Sequence, residues 1–226
     1  MRSLSRLILA FCFLYTAFDL FWPMQRDLHQ FDPVELGTME TRMWQSYYGH
    51  EHIALFLQMA EMLRDQYHFP VLRSYLGAFH AASAAFRFKG GSTRSDYDRA
   101  RPALLRYFKL IRRTGNIAFD VPQAAELELE WWIVHREHAR HTEIDLGRAC
   151  AAAAAALYAV PSEKTLEHGL LRAKAMLLRD TQEDAGTLSA SGWASIESLL
   201  HQSYQSLHRA VSAPIPAPVM SKRIPA

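Results

Sequence analysis

Apolar residues recur at helical spacing along most of the chain, and residues that typically start helices stand before these stretches. The first stretch opens with Asp32 as an acidic N-cap, Pro33 in the first turn and Glu35 at the third helical position. No convincing strand pattern and no fixed-period repeat is present. The pattern predicts an all-α helical bundle of about seven helices after an N-terminal hydrophobic helix. The helices are expected to start near residues 32, 70, 95, 120, 142, 162 and 189.

Three features qualify these helices. Gly49 is a weak point in the first helix, which otherwise runs to about Tyr67. Pro102 either kinks the third helix or marks its true first turn. The run Cys150–Ala156 contains six alanines, which favour a helix and permit close packing against a neighbour.

The central helix, which Asp120 caps, combines polar and apolar residues most densely. At 100° per residue, carboxylates and imidazoles fall on two stripes, while apolar residues fill the angles between them. A helix that is apolar nearly all round is a buried helix, and charges on it need partners. The central helix is therefore the expected position of a polar site. The stripes are Glu130, Glu137 and His141, and Glu128, Trp132 and His135.

Residues 1–24 form an N-terminal hydrophobic segment. Arg2 and Arg6 precede about 12 apolar residues, as in a secretory signal. Ala17 is the best cleavage position, but no convincing small-x-small site surrounds it. The apolar run is short for a full span of about 20 residues, while Trp22 suits a membrane interface. We favour an uncleaved signal-anchor, with a buried N-terminal helix of a soluble protein as the alternative.

The basic N-terminus also predicts an orientation. Arg2 and Arg6 place it in the cytoplasm, so the all-helical domain, residues 31–212, would lie in the periplasm at a bacterial inner membrane. A cytoplasmic body is the alternative. Residues 213–226 contain four prolines and are predicted to form a disordered tail.

Composition narrows the classes of function. Half of the 226 residues are hydrophobic and 12% are aromatic, which excludes a disordered chain. The net charge of +2 gives no nucleic-acid signal. Cys12 and Cys150 are expected to be free thiols. The chain has no P-loop, Cys-x-x-Cys, GxGxxG or Gly-x-Ser-x-Gly motif, so the commonest nucleotide, redox and hydrolase signatures are missing.

Carboxylates and imidazoles within apolar helices are candidate metal ligands. Helical-bundle di-metal proteins use glutamates and a Glu-x-x-His pair on facing helices, and iron suits such ligands. No Glu-x-x-His pair occurs in this chain, so the ferritin-like template lacks its most specific element. A less regular metal site is predicted from Glu40, His80, Glu130 and His135, with iron as the candidate cofactor. The alternative is a structural network of buried salt bridges.

Two stripes of histidine and arginine are candidate anion sites. Arg73, His80 and Arg87 lie seven residues apart on one helix, and His168, Arg172 and Arg179 form a similar stripe on a later one. Guanidinium groups bind phosphate or carboxylate through paired hydrogen bonds. The alternative is that these stripes are solvated faces or partners of carboxylates. Two aromatic residues, Tyr47 and Trp132, are added as candidate substrate contacts.

Two segments carry a resemblance to a known family. The residues Phe-Asp-Pro-Val-Glu-Leu-Gly-Thr-Met-Glu-Thr-Arg-Met-Trp-Gln-Ser-Tyr-Tyr at 31–48, with Glu-Leu-Glu-Trp-Trp-Ile-Val-His-Arg-Glu at 128–137, resemble an uncharacterised bacterial all-helical family. That family has a short apolar N-terminus and no assigned activity. The resemblance covers most of the chain and implies no residue roles.

Three functional hypotheses follow. The first is a membrane-anchored helical bundle with a buried Glu/His/Tyr site, acting as a metal-dependent oxidoreductase. The second is a non-catalytic protein that binds lipid or a membrane-protein partner through its aromatic helices. The third is an anion-binding module that uses the Arg/His stripes. In each the N-terminal segment contacts the membrane, nucleic acid is not a partner, and a homo-oligomer or a membrane-protein complex is expected.

Overall fold

The computed structural model describes residues 2–212, with side chains from Leu4 onward. Within these residues the chain consists of helices and loops, and the only β contact is an isolated bridge between Arg26 and Gly115. The all-α prediction is confirmed, while the predicted tail, 213–226, lies outside the described residues. The helices are α1 (Arg2–Phe21), α2 (Pro33–Tyr48), α3 (His52–Asp65), α4 (Val71–Lys89), α5 (Arg94–Tyr97), α6 (Arg101–Thr114), α7 (Val121–Arg136), α8 (Glu143–Tyr158), α9 (Leu166–Asp184) and α10 (Ala190–Ser212).

The long helices from α2 to α10 form a closed ring. Each packs against the next long helix along the chain, and α10 returns to pack against α2. Because short connections join these neighbours, successive helices run in alternate directions. Four helices, α2, α4, α7 and α9, therefore begin at one end of the ring and finish at the other. We call the first the anchor end and the second the cavity end.

Side-chain caps explain where several helices begin. The Asp32 carboxylate accepts hydrogen bonds from two backbone N–H groups at the start of α2, and Asp120 accepts one at the start of α7. Thr142 and Asp145 form a reciprocal capping box at the start of α8. A new helix therefore begins at Glu143, as the sequence predicts. The preceding helix α7 ends earlier than expected, at Arg136, so Glu137 and His141 lie outside it and do not form a stripe with Glu130.

Within residues 2–212, the helices after α1 outnumber the seven predicted because the first one is broken and the short α5 is additional. The chain turns at Gly49, and His50 adopts a left-handed backbone with φ of 60°. A turn therefore separates α2 from α3, where the sequence predicts one long helix. Pro102 lies in the first turn of α6, so it marks a helix start and introduces no kink. The short α5 precedes that start as a separate helix.

Small residues bring α8 and α9 into backbone contact. A Cβ atom added at Gly169 would lie 2.6 Å from the Ala151 backbone nitrogen, and one added at Gly147 would lie 3.0 Å from the Cα of Leu170. The alanine run of α8 faces this contact, with Ala151 fully buried. The predicted close packing of the alanine-rich helix is confirmed.

Polar contacts join the end of α1 to the anchor end. The Asp19 carboxylate accepts hydrogen bonds from the backbone nitrogens of Leu72, at 3.0 Å, and Arg73, at 3.1 Å, and so caps α4. The fully buried Arg73 side chain donates to the Trp22 carbonyl oxygen and the Thr114 hydroxyl. These contacts thus attach the end of α1 to the start of α4 and to the end of α6.

The folded body begins closer to the N-terminus than the predicted domain boundary, because residues of this junction are buried. Asp19, Leu28 and Phe31 are all buried, so the body begins well before the predicted boundary at residue 31. The rest of α1 is exposed, which contradicts the alternative of a buried N-terminal helix. The window Leu4–Phe21 has a mean hydropathy of 1.7 and is long and apolar enough to cross a membrane.

Candidate functional site

A cavity of about 470 Å³ opens at the cavity end of the ring. Its walls come from the C-terminal halves of α2, α4 and α9, from the middle and end of α7, and from the first half and middle of α3. This volume is within the range of small-molecule sites. Most of the wall is apolar, and it is unusually rich in aromatic rings. The aromatic wall residues are Trp44, Tyr47, Tyr48, Phe88, Trp131 and Trp132.

Helices α2 and α7, which both line the cavity, carry the same three residue types at the same spacing. In each, an Asp N-cap is followed eight residues later by a glutamate and twelve residues later by a tryptophan. In each, the tryptophan indole donates to that glutamate, at 3.1 Å from Trp44 to Glu40 and at 3.0 Å from Trp132 to Glu128. The two helices therefore present two equivalent carboxylates toward the middle of the ring.

Glu40 is held by a buried arginine and a tyrosine. Arg172 donates to both carboxylate oxygens of Glu40, with one contact at 2.7 Å, and the Tyr204 hydroxyl donates to the same carboxylate. The guanidinium also lies 5.9 Å from the Trp44 ring centroid and 5.4 Å from that of Trp131. Burial alone would lower the pKa of Arg172, but Glu40 holds it well above its ordinary value. The carboxylate of Glu40 is therefore fully paired within the protein.

Glu128 is the equivalent carboxylate without a cation. Among the described residues no ion pair involves it, and its remaining accessible surface faces the cavity. Burial raises its pKa, and the hydrogen bonds from the two neighbouring tryptophans and the charge of Arg172 reduce that shift without cancelling it. A carboxyl group with a raised pKa in an apolar cavity is a typical feature of binding and catalytic sites.

A histidine–aspartate pair also lines the cavity. His135 Nε2 is 2.8 Å from the Asp180 carboxylate, and both residues line the cavity. Burial raises the pKa of Asp180, but the hydrogen bond with His135 and the charge of Arg179 outweigh that effect and leave the pKa below its ordinary value. An ionised aspartate fixes the orientation of the imidazole ring. The pair can therefore accept or donate a proton to a bound molecule.

Two other chemically active residue types serve the structure. Burial raises the pKa of the Cys150 thiol to about 12, so it stays protonated and unreactive. Burial lowers the pKa of His168 to about 4, and its ring bonds to Ser203 on α10. The free state expected for both cysteines is confirmed, with Cys12 exposed on α1.

The structure does not assemble the predicted metal site. Glu40 pairs with Arg172, Glu130 with Arg94 at 2.7 Å on the surface, and His135 with Asp180. His80 is half-buried on α4 outside the cavity wall, where burial and Arg106 lower its pKa. Within residues 2–212, no group of three or more His, Cys, Asp and Glu side chains is placed to hold a metal ion. Each predicted ligand instead has its own separate environment.

The two predicted anion stripes are also divided among other contacts. Arg73 is buried at the α1 junction, whereas Arg87 is exposed on α4. Arg179 pairs with Asp180 at 3.0 Å and lies 3.3 Å from the centroid of the Tyr48 ring. His168 and Arg172 have the buried partners given above. Arg172 and Arg179 are partners of carboxylates and Arg87 is exposed, as the alternative interpretation holds. Arg73 fits neither interpretation, because it is buried against a carbonyl and a hydroxyl, and the arginines do not share one anion site.

Of the predicted residues, Tyr47, Trp132 and His135 line the cavity, and Glu40 lies beside its Trp44 wall. The predicted set omits Glu128 and Asp180. The signal for Glu128 is its eight-residue spacing from Asp120, which repeats that of Glu40 from Asp32. No comparable signal exists for Asp180, because its partner His135 is 45 residues away along the chain.

The fold and the cavity together define a closed helical ring with an internal aromatic pocket. Comparisons with models of protein families, with curated proteins and with solved structures found no match to this chain. The resemblance to a bacterial helical family therefore stays a prediction.

Proposed function

We propose that the protein is a membrane-anchored binding protein that takes a small, mainly apolar molecule into the aromatic cavity. The observation that carries this proposal is the cavity of about 470 Å³, walled by six aromatic side chains and containing one carboxyl group without a cation. Apolar walls with a few converging polar groups are typical of small-molecule sites. The aromatic and methionine side chains supply affinity, and Glu128 and His135 orient the ligand.

The position of the anchor supports access from water. The α1 helix joins the ring at the anchor end, beside the start of α4, whereas Ala85 and Phe88 line the cavity near the end of the same helix. Fifteen residues of helix separate these points by roughly 22 Å. The cavity thus lies at the end of the ring remote from the anchor, which favours a water-borne ligand over a lipid taken from the bilayer.

The anchor itself is part of the proposal. Phe21 and Trp22 are exposed aromatic residues at the end of α1, and Arg113 donates to the Phe21 carbonyl at 2.9 Å. Tryptophan is enriched at membrane interfaces, so the position of Trp22 suits the end of a membrane anchor. Arg2 and Arg6 favour a cytoplasmic N-terminus, so we place the ring in the periplasm of a bacterial inner membrane. Alkaline carbonate extraction should leave the full-length chain, with its N-terminus intact, in the membrane pellet.

An acid–base enzyme is the second candidate. The observation that favours it is that the His135–Asp180 pair and Glu128 line one cavity from the same face of α7 and from α9. A raised carboxyl pKa beside an oriented imidazole provides a proton donor and a proton acceptor. Binding is the simpler proposal because it requires only the cavity itself.

Binding can be tested by filling the cavity. Full-length protein in nanodiscs is screened with water-soluble aromatic fragments by saturation-transfer NMR, and empty nanodiscs serve as the blank. Ala85→Phe places a ring in the cavity and should abolish saturable binding, while helical content is retained. Ala185→Phe makes the same change at an exposed position and should leave binding unaltered. Equal binding by the parent and both variants would contradict the proposal.

A further inference from the structure

We infer that the ligand carries a positively charged nitrogen, as an amine or a guanidinium, and that this nitrogen pairs with Glu128 inside the cavity. The inference rests on the proposed function, because it names the ligand class of the same cavity. It also assigns a role to Glu128, the cavity carboxylate that forms no ion pair within residues 2–212.

The protein contains a template for this mode of binding. At Glu40, the carboxylate that corresponds to Glu128, the guanidinium of Arg172 pairs with the carboxylate and lies against two tryptophan rings. Glu128 likewise follows its helix N-cap by eight residues and accepts a hydrogen bond from the tryptophan four residues later. It also lies beside two tryptophan rings, those of Trp131 and Trp132. The ligand nitrogen would take the place at Glu128 that Arg172 takes at Glu40.

The surrounding field also favours a cation. The C-terminal halves of four helices, α2, α4, α7 and α9, surround the cavity, and the C-terminal end of a helix carries partial negative charge. Aromatic faces attract cations through their quadrupoles, most strongly in the case of tryptophan. Neither feature attracts an anion. The rings of Trp131 and Trp132 act next to Glu128, whereas the helix ends act on the part of the cavity lined by Tyr48, Phe88 and Arg136.

The arginines near the cavity already have partners. Arg172 pairs with Glu40, Arg179 pairs with Asp180 and Glu183, and the exposed Arg136 lies 5.1 Å from the centroid of the Phe88 ring. None of them forms an ion pair with Glu128 in the described part of the chain. A ligand cation would therefore meet a carboxylate that no protein guanidinium neutralises directly.

Binding of a cation should release a proton. Burial raises the pKa of Glu128, so below that pKa the free protein holds a neutral carboxyl group, which must pass its proton to the solvent before it can pair with an ammonium ion. Affinity for a cation should consequently rise with pH until Glu128 is ionised in the free protein. The other charged or titratable groups around it are Glu40, Tyr107, Cys150 and Arg172, and, in the cavity wall, Tyr47, Tyr48, His135, Arg136, His138 and Asp180.

The test compares two probes of the same length, 4-phenylbutylamine and 4-phenylbutanol. Isothermal titration of full-length protein in nanodiscs should show that the amine binds at least about tenfold more tightly, as a charge-assisted hydrogen bond implies. Repeating the amine titration in buffers of different ionisation enthalpy should reveal proton release at low pH. Glu128→Gln keeps the shape of the side chain and should remove both the preference for the amine and the proton release.

A control variant on the same helix shows whether the effect is specific to Glu128, and the pattern of binding distinguishes failure of this inference from failure of the proposed function. Glu130→Gln removes a carboxylate on the same helix that pairs with Arg94 at the surface, and it should leave both titrations unchanged. Equal affinity for the amine and the alcohol, or an unaltered preference in Glu128→Gln, would overturn this inference alone. Failure of both probes to bind, together with no fragment hit in the NMR screen, would contradict the proposed function.

Discussion

Replacing Gly169 with alanine should separate α8 from α9 and destabilise the ring. The new Cβ would lie 2.6 Å from the Ala151 backbone nitrogen and 2.8 Å from the Ala151 Cβ, and closer still to the carbonyl oxygen of Gly147. Two of these three neighbours are backbone atoms, so a side-chain rotation cannot relieve the clash. Overpacking of this kind costs about 1–3 kcal/mol or more, and the helix propensity of alanine recovers about 1 kcal/mol. Because backbone atoms must move, we expect a cost at or above the upper limit of that range and hence a net loss of about 2 kcal/mol.

Thermal unfolding followed by circular dichroism measures this loss. For a body of this size, about 2 kcal/mol corresponds to a decrease of roughly 4–8 °C in Tm. Gly90→Ala is the control, because Gly90 ends α4 with φ of −81° and no atom lies within 4 Å of its added Cβ. That variant should unfold at or slightly above the parental temperature. A Tm for Gly169→Ala equal to the parental value would refute the close contact between α8 and α9.

Three further changes test other parts of the structure. Arg172→Met should lower the free energy of unfolding by about 3–5 kcal/mol in urea titrations, because Glu40 is left buried without its cation, and Glu40→Gln in the same chain should restore part of the loss. His168 has a folded pKa of about 4 against 6.5 ordinarily, so its stabilising effect is complete above pH 6.5 and is lost as pH falls toward 4. Urea titrations should show a loss of about 3 kcal/mol over that interval that His168→Asn lacks. Asp19→Ala removes the cap of α4 and should lower the unfolding free energy by about 0.5–2 kcal/mol. The control Glu143→Ala, at an exposed position, should have a smaller effect.

Local signals in the sequence were sufficient to predict most of the helices. Asp32, Asp120 and Thr142 cap helices in the structure because their side chains reach backbone groups only two or three residues away. The break at Gly49 is a weaker local signal, since glycine in a helix costs only about 1 kcal/mol and contacts elsewhere decide the outcome. Closure of the ring depends on α10 packing against α2, and no local pattern indicates that contact.

The site was predictable only in part, for the same reason. Glu40 and His135 stand out as polar residues on apolar helices, but their partners Arg172 and Asp180 lie 132 and 45 residues away along the chain. From the sequence alone they are predicted to be metal ligands, whereas in the folded protein each side chain pairs with a different partner. Arg73 has the pattern of an exposed stripe, yet its contacts with Trp22 and Thr114 bury it completely.

The structure of the full-length protein in complex with 4-phenylbutylamine tests the central claim most directly. The phenyl ring should lie between the aromatic side chains of the cavity, and the ammonium nitrogen should lie within hydrogen-bond distance of a Glu128 carboxylate oxygen. The Arg172–Glu40 pair should be unchanged. A ligand bound outside the cavity, or one inside it whose nitrogen points to solvent and away from Glu128, would contradict it.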